Sequence, residues 1–414
     1  MKKQLLAGVL AASMVLPMVG CGNQKTADTT TAAKKDEEIT CDLTVWGPQE
    51  DQSEEKGNWL KKECEAFASE HPSWHITFNY GVCSEADAKT NVTTDVAKAA
   101  DVYMYANDQI PTLVSAGALA ELGGTTVDNM KKDNSETMVQ SVTYKNAIYG
   151  VPFTGNTWFM YYDKSKFTEA DVKNLDTMLQ KGKVAFPLSN SWYIAAFYTG
   201  NGCTLFGKDG TDASKKIDFT GDKAVDVTKY LVDLANNDNF INDENGVGVA
   251  GLANGSVNAI FSGSWDYDNV KKALGDNMGI AIPPTYTLNG KQVQMKAFGG
   301  SKAIGVNPNC KNPQVAVALA AYLGGEKAQK DHFTMRGILP TMTKVDVGND
   351  ALAKAQAETL SKASTVQPLL AEMGTYWTPA ESMGKEIVAK TVTKDNAKEK
   401  TESMNTAMNT SSVG

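Results

Sequence analysis

Four stretches of the chain set aromatic rings among glycine, serine, threonine and asparagine. They are Gly155 to Tyr162, Asn190 to Tyr193, Ser264 to Tyr267 and Gly374 to Trp377, and they hold four of the seven tryptophans, Trp158, Trp192, Trp265 and Trp377. This mixture suits sugar recognition. A pyranose presents flat C–H faces that stack on aromatic rings, and a rim of hydroxyls that pairs with Asp, Glu, Asn or Gln. Against this stands a plainer reading in which each ring packs beneath its own loop. Trp59 and Trp74 suit a core or a helix surface, and Trp46 fits either role.

The residues of other chemistries are sparse. Of three histidines, His71 and His75 are separated by Pro72, so they cannot share one helical face as a metal motif requires, and His332 is expected on the polar side of a helix. No Gly-rich phosphate loop, nucleophile elbow or Cys-x-x-Cys pair occurs. Asp and Glu are plentiful, but nothing marks out a glycosidase pair. No cofactor, metal site or catalytic residue is expected. A net charge of −8 and a single arginine, Arg336, argue against nucleic acid as a partner. Beyond Cys21, the cysteines 41, 64, 83, 203 and 310 are odd in number and irregular in spacing, which suggests neither a disulfide framework nor zinc.

The segments that must position the aromatics follow an order. Lys2 and Lys3 precede a short apolar run, and Val19-Gly20-Cys21 closes it as a lipobox would, so residues 1–21 read as a lipoprotein signal with Cys21 acylated. Two acyl chains would anchor the protein stably to the membrane. Residues 22–40 are polar and read as a disordered tether. From Cys41 strands and helices alternate: strand 42–47, a helix from Trp59 ended by Pro72, strand 75–81, helix 86–99, strand 101–105. Further helices are expected after Asp222, from Pro313, over 351–362 and over 380–392, with a strand at 259–261. This is an α/β pattern with a largely parallel sheet. Such sheets bind ligands at the carboxyl ends of their strands, where Trp46 to Asp51, Tyr105 to Gln109 and Gly263 to Trp265 fall.

Leu43-Thr-Val-Trp46, Ala100 to Gln109, Gly117-Ala-Leu, Tyr149-Gly-Val-Pro152, Met160 to Lys164, Ala259 to Trp265 and Pro340-Thr, taken in order, resemble the extracellular solute-binding protein family of ABC transporters, in its maltose/maltodextrin branch. The resemblance implies a two-lobed fold with a hinged interlobe cleft. It implies an N-terminal lobe of 41–153 plus 301–346 and a C-terminal lobe of 154–300 plus 347–412, with crossings near Pro152 to Gly155, Phe298 to Lys302 and Val345 to Asn349, where Pro152 and Gly299-Gly300 suit a hinge. It further implies a non-enzymatic, monomeric, extracytoplasmic protein that captures a maltooligosaccharide by lobe closure and passes it to membrane permease subunits. Carried over by position, the polar rim would be Gln49, Glu50 or Asp51 with Asp108, Gln109, Asn156 and Asn190, and the aromatic platforms Tyr105, Trp192, Trp265 and either Tyr376 or Trp377; Trp158, from the aromatic-rich 155–162 stretch, is a further ligand-binding candidate. Gln109, Asn156 and Asn190 stand where the family pattern has charged groups. The alternatives are a binder of a galactoside or xylan fragment and, in another class, a cell-surface glycoside hydrolase.

Overall fold

The structure, a computed structural model, describes residues 38–410. The signal segment with Cys21, the tether as far as residue 37, and residues 411–414 lie outside the described residues. Ile39 and Thr40, expected in the tether, already belong to the first strand, in register with Trp74 and His75. Among the described residues no helix is long and apolar enough to cross a membrane.

The chain builds two α/β units, each around its own sheet. In the first, β1 (Ile39–Gly47) lies parallel to β2 (Trp74–Val82) and β3 (Val102–Ala106). Antiparallel to β3 runs the long β10 (Ala297–Val306), which also pairs with β4 (Val151–Asn156). The second sheet has the order β7 (Phe240–Asn242), β6 (Val184–Phe186), β8 (Ala259–Ser262), β5 (Phe159–Asp163) and β9 (Met278–Ala281). Strand burial follows from the side-chain period of two. On β1, Leu43 and Val45 are buried while Asp42 is exposed. By contrast β3 lies between β1 and β10 and is buried from Val102 to Tyr105 on both faces, the pattern of a central strand.

Each sheet has its own apolar core. Leu43, Phe67, Tyr103, Val306 and Leu319 belong to the first, and Trp158, Phe186, Phe197, Leu231, Phe261 and Met383 to the second. The chain passes between the cores at few places. Asn156 is still paired with Gly300 in the first sheet, whereas Trp158 is in the second core and Phe159 pairs with Ser262. β10 makes the return passage, from Phe298 in the second core to Ala303 in the first. Past the third crossing expected at 345–349 the chain reaches Leu352, clustered with Phe159, Tyr161 and Ile260 of the second sheet, and a further passage runs from Leu369 in the first core to Met373 in the second.

Glycines at the crossing serve close approach. A Cβ on Gly155 would lie 2.5 Å from Leu360 Cδ1, and one on Gly300 would lie 2.7 Å from Asn107 Oδ1. Asn107 Oδ1 in turn accepts from the Ser301 amide at 3.1 Å. The crossing thus brings together the carboxyl end of β3, in register with Lys302 at Ala106, and the carboxyl end of β8, in register with Phe159 at Ser262.

Candidate functional site

On the second unit, three loops leave the carboxyl ends of parallel strands β6, β7 and β8 at one edge of the sheet. The loop after β6 leads to Asn190, which begins the helix Ser191–Gly200 by accepting the Trp192 amide at 2.9 Å, an N-cap that satisfies one of the helix's orphan donors. Trp192 is half-buried, and its indole N–H donates to Gln367 Oε1 at 3.0 Å, which fixes the plane of the ring. After β8 the turn Gly263-Ser264 delivers Trp265, whose ring centroid lies 6.1 Å from that of Trp192 at 44°. Trp265 is 52% exposed, a large unpartnered aromatic surface at a strand's carboxyl end. Trp265 lines a cleft of about 800 Å³. Asn190, Tyr193, Asp243, Ser262, Trp265 and Asp266 are among its walls.

The cleft's carboxylates are held in place. Asp266 Oδ2 accepts from Ser262 Oγ at 2.5 Å, and Asp243 Oδ1 accepts from the Gly248 amide at 2.8 Å. Burial raises the Asp243 pKa and nearby Asp266 adds to the rise, while the Gly248 hydrogen bond opposes both.

Several residues expected on the ligand surface instead build the frame behind it. Trp158 is fully buried, stacked on Tyr193 with centroids 5.1 Å apart, so it supports the wall from behind. Tyr376 is fully buried and its hydroxyl donates to the Ser191 carbonyl at 2.7 Å, bracing the helix that carries Trp192. Of Tyr376 and Trp377, only Trp377 keeps exposed surface. Tyr105 has no exposed surface, because β3 is buried on both faces, and its hydroxyl donates to the Tyr149 carbonyl at 2.9 Å.

Gln109 is buried too. Its Nε2 donates to the carbonyls of Glu85 and Ala86, both at 2.8 Å, and its Oε1 accepts from the Lys89 amide at 2.8 Å, so the whole amide braces one turn. Asp51 is buried against His332 Nε2 and Arg336 Nε, each at 2.9 Å. Burial pushes the Asp51 carboxyl up, but the hydrogen bonds and charge of His332 and Arg336 outweigh it and hold the pKa below the ordinary carboxylate range. His332 is not on a polar face: it stacks on Trp59 at 3.8 Å and 8°, with only 2% of its surface exposed.

Glu50, Asp108 and Asn156 are exposed near the carboxyl edge of the first sheet. The structure thus gathers Asn190, Trp192 and Trp265 on the second unit and leaves Glu50, Asp108 and Asn156 on the first unit's edge. Asp243, Ser262 and Gln367 were missed. Asp243 directly follows a strand, β7, that the sequence reading did not assign; Gln367 acts only through a distant ring.

Among the described residues no group of three or more His, Cys, Asp or Glu could hold a metal ion, and Cys41, Cys64, Cys83, Cys203 and Cys310 are free thiols. The chain is 27% identical over 411 residues to a galactooligosaccharide-binding protein of Bacillus subtilis, covering 92% of this chain and 91% of that one. It is 26% identical over 408 residues to a maltooligosaccharide ABC transporter solute-binding lipoprotein of Streptococcus pneumoniae, with 92% and 91% covered. A structure solved with acarbose superposes with a TM-score of 0.75 at 52% identity, covering 89% of this chain and 99% of that one. Residues 62–360 match the family described as bacterial extracellular solute-binding protein, and with its two α/β units joined at a shared crossing the chain belongs to that family.

Proposed function

We propose that this chain is the substrate-binding subunit of an ABC importer for maltooligosaccharides, anchored outside the membrane through an acylated Cys21. The observation that carries the reading is the pair of half-buried Trp192 and exposed Trp265, set at the carboxyl edge of a sheet with carboxylate and amide groups beside Trp265. The pair would stack on pyranose faces, with Trp377 extending the floor. Asn190 would donate from its Nδ2, since its carbonyl oxygen caps a helix. Glu50 and Asp108 would close over the sugar from the N-terminal lobe against the C-terminal lobe, with Asn156 at the crossing between them. A ligand bridging both lobes selects the closed form through contacts made only there, and the permease would read that form.

The relative from Streptococcus pneumoniae and the structure with acarbose both support an α-glucan. The Bacillus subtilis relative supports a second reading, a galactooligosaccharide. Calorimetric titration with maltose, maltotriose, longer maltodextrins, a galactotriose, raffinose and xylobiose separates them. The α-glucan reading expects the tightest saturable binding from the maltodextrins, and tightest binding of the galactoside replaces it with the second. The chain would bind rather than cleave: maltoheptaose incubated with it should be recovered intact, and shorter products would assign Asp243 or Asp266 to hydrolysis. Replacing Cys21 by Ser should release the protein from membranes or leave its precursor uncleaved; processed, membrane-bound variant would refute the anchor.

A further inference from the structure

Trp265 lines a space larger than its own ring covers. The cleft of about 800 Å³ continues past Trp265 between the helices Val247–Asn254 and Tyr267–Leu274. Where it continues, the wall formed by the first helix carries Ala250 and Ala253, and the second contributes Asn269 and Ala273. Small side chains on both walls are what keep the space open. Its volume is of the size that encloses a drug-sized ligand, roughly 300–1,000 Å³, so it has room for more than the sugars that cover two indole rings. The lining is also chemically mixed in the way a sugar needs. Asp243 and Asp266 each use one carboxylate oxygen internally, on Gly248 and Ser262, and each keeps another able to accept a sugar hydroxyl. Asn269 can donate and accept, and Lys272 can donate.

We infer that this inter-helix cleft is an extension subsite, which takes further glycosyl units of the same chain once the first units cover Trp192 and Trp265, and that it sets a preference for long over short oligosaccharides. The inference rests on the oligosaccharide reading above and adds to it a length-selecting element located entirely on the C-terminal lobe. Ala250 is exposed, so a large side chain there can fill the cleft without entering the core. Asn269 is exposed as well, and its truncation removes one polar contact while leaving the space open.

The test is calorimetry on the full chain, native and carrying Ala250→Trp or Asn269→Ala, titrated with maltotriose and with maltoheptaose. Native protein should bind maltoheptaose more tightly than maltotriose. Ala250→Trp should weaken maltoheptaose by about tenfold or more, with maltotriose within about twofold of native. Asn269→Ala should show the same selectivity with a smaller loss. If either variant weakens both sugars alike, or neither sugar responds, the extension subsite is wrong while the aromatic floor stands. If native protein binds neither sugar, nor any other oligosaccharide, the reading beneath it falls as well.

Discussion

The two sheets present similar sequences at their carboxyl edges and put them to different use. After β3 the chain reads Tyr105-Ala-Asn-Asp-Gln109, and after β8 it reads Gly263-Ser-Trp265-Asp-Tyr267, each an aromatic beside acidic and amide groups. In the second unit the aromatic stands 52% exposed over a cleft. In the first, Tyr105 is sealed in the core and Gln109 is fully engaged with the 85–89 turn. The difference lies one residue deeper than composition. Tyr105 still belongs to a strand covered on both faces, whereas Trp265 lies past its strand, in the turn beyond Gly263. The position of an aromatic relative to the strand end decides whether it is a platform or a brace.

That contrast can be broken by substitution. The largest effect is expected on stability, at Asp51. Replacing it with Asn removes the charge that pairs with Arg336 and His332, and breaking a buried pair typically costs about 3–5 kcal/mol, read as a lower denaturation midpoint. Because the folded-state pKa of Asp51 is lowered, the native pair stabilises fully above the ordinary carboxylate range. That contribution is lost as pH falls through the lower folded value, and the variant should lack this part of the acid dependence. Sugar affinity of the folded variant should match native. Next, Trp265→Ala should leave stability nearly unchanged and cost about 2 kcal/mol or more of binding, as for an aromatic anchor. Smaller still is Tyr105→Phe, which removes the hydrogen bond to the Tyr149 carbonyl. A loss of about 1 kcal/mol in stability with unchanged sugar affinity is expected. The smallest effect concerns salt. If the contacts are mainly stacking and neutral hydrogen bonds, raising ionic strength should barely alter affinity in titrations; a steep loss would move the site toward charged groups such as Glu50 and Asp108.

Much of the fold was legible in the residues. The helix 351–362 is found with both expected ends, its first turn capped by Asp350 on the Ala353 amide. Pro313 opens the helix that ends at Gly324, as expected, although Asn312 makes no capping hydrogen bond with its side chain. The helix read over 86–99 shrinks to Ala88–Thr94. Its threonines explain part of this: Thr93 and Thr94 donate to the carbonyls four residues back, a habit of residues that do not favour helix interiors. The site was legible where a residue acts locally, as Trp192 and Trp265 do. It was illegible where the deciding partner is remote. His332 was placed on a polar face because its buried partner Asp51 lies 281 residues away, and the same separation hid the structural role of Asp51. Gln109 resembled a rim amide until its three backbone partners were in view.

The central claim, that sugar binds on the exposed aromatics of the second unit and not on the first unit's buried tyrosine, is tested most directly by one calorimetric series. Maltotriose is titrated into native protein, Trp265→Ala and Tyr105→Phe under identical conditions. The account predicts saturable binding to native protein, a loss of roughly 30-fold or more with Trp265→Ala, and affinity within about twofold of native with Tyr105→Phe. Native-like affinity in folded Trp265→Ala, or a loss confined to Tyr105→Phe, would contradict it.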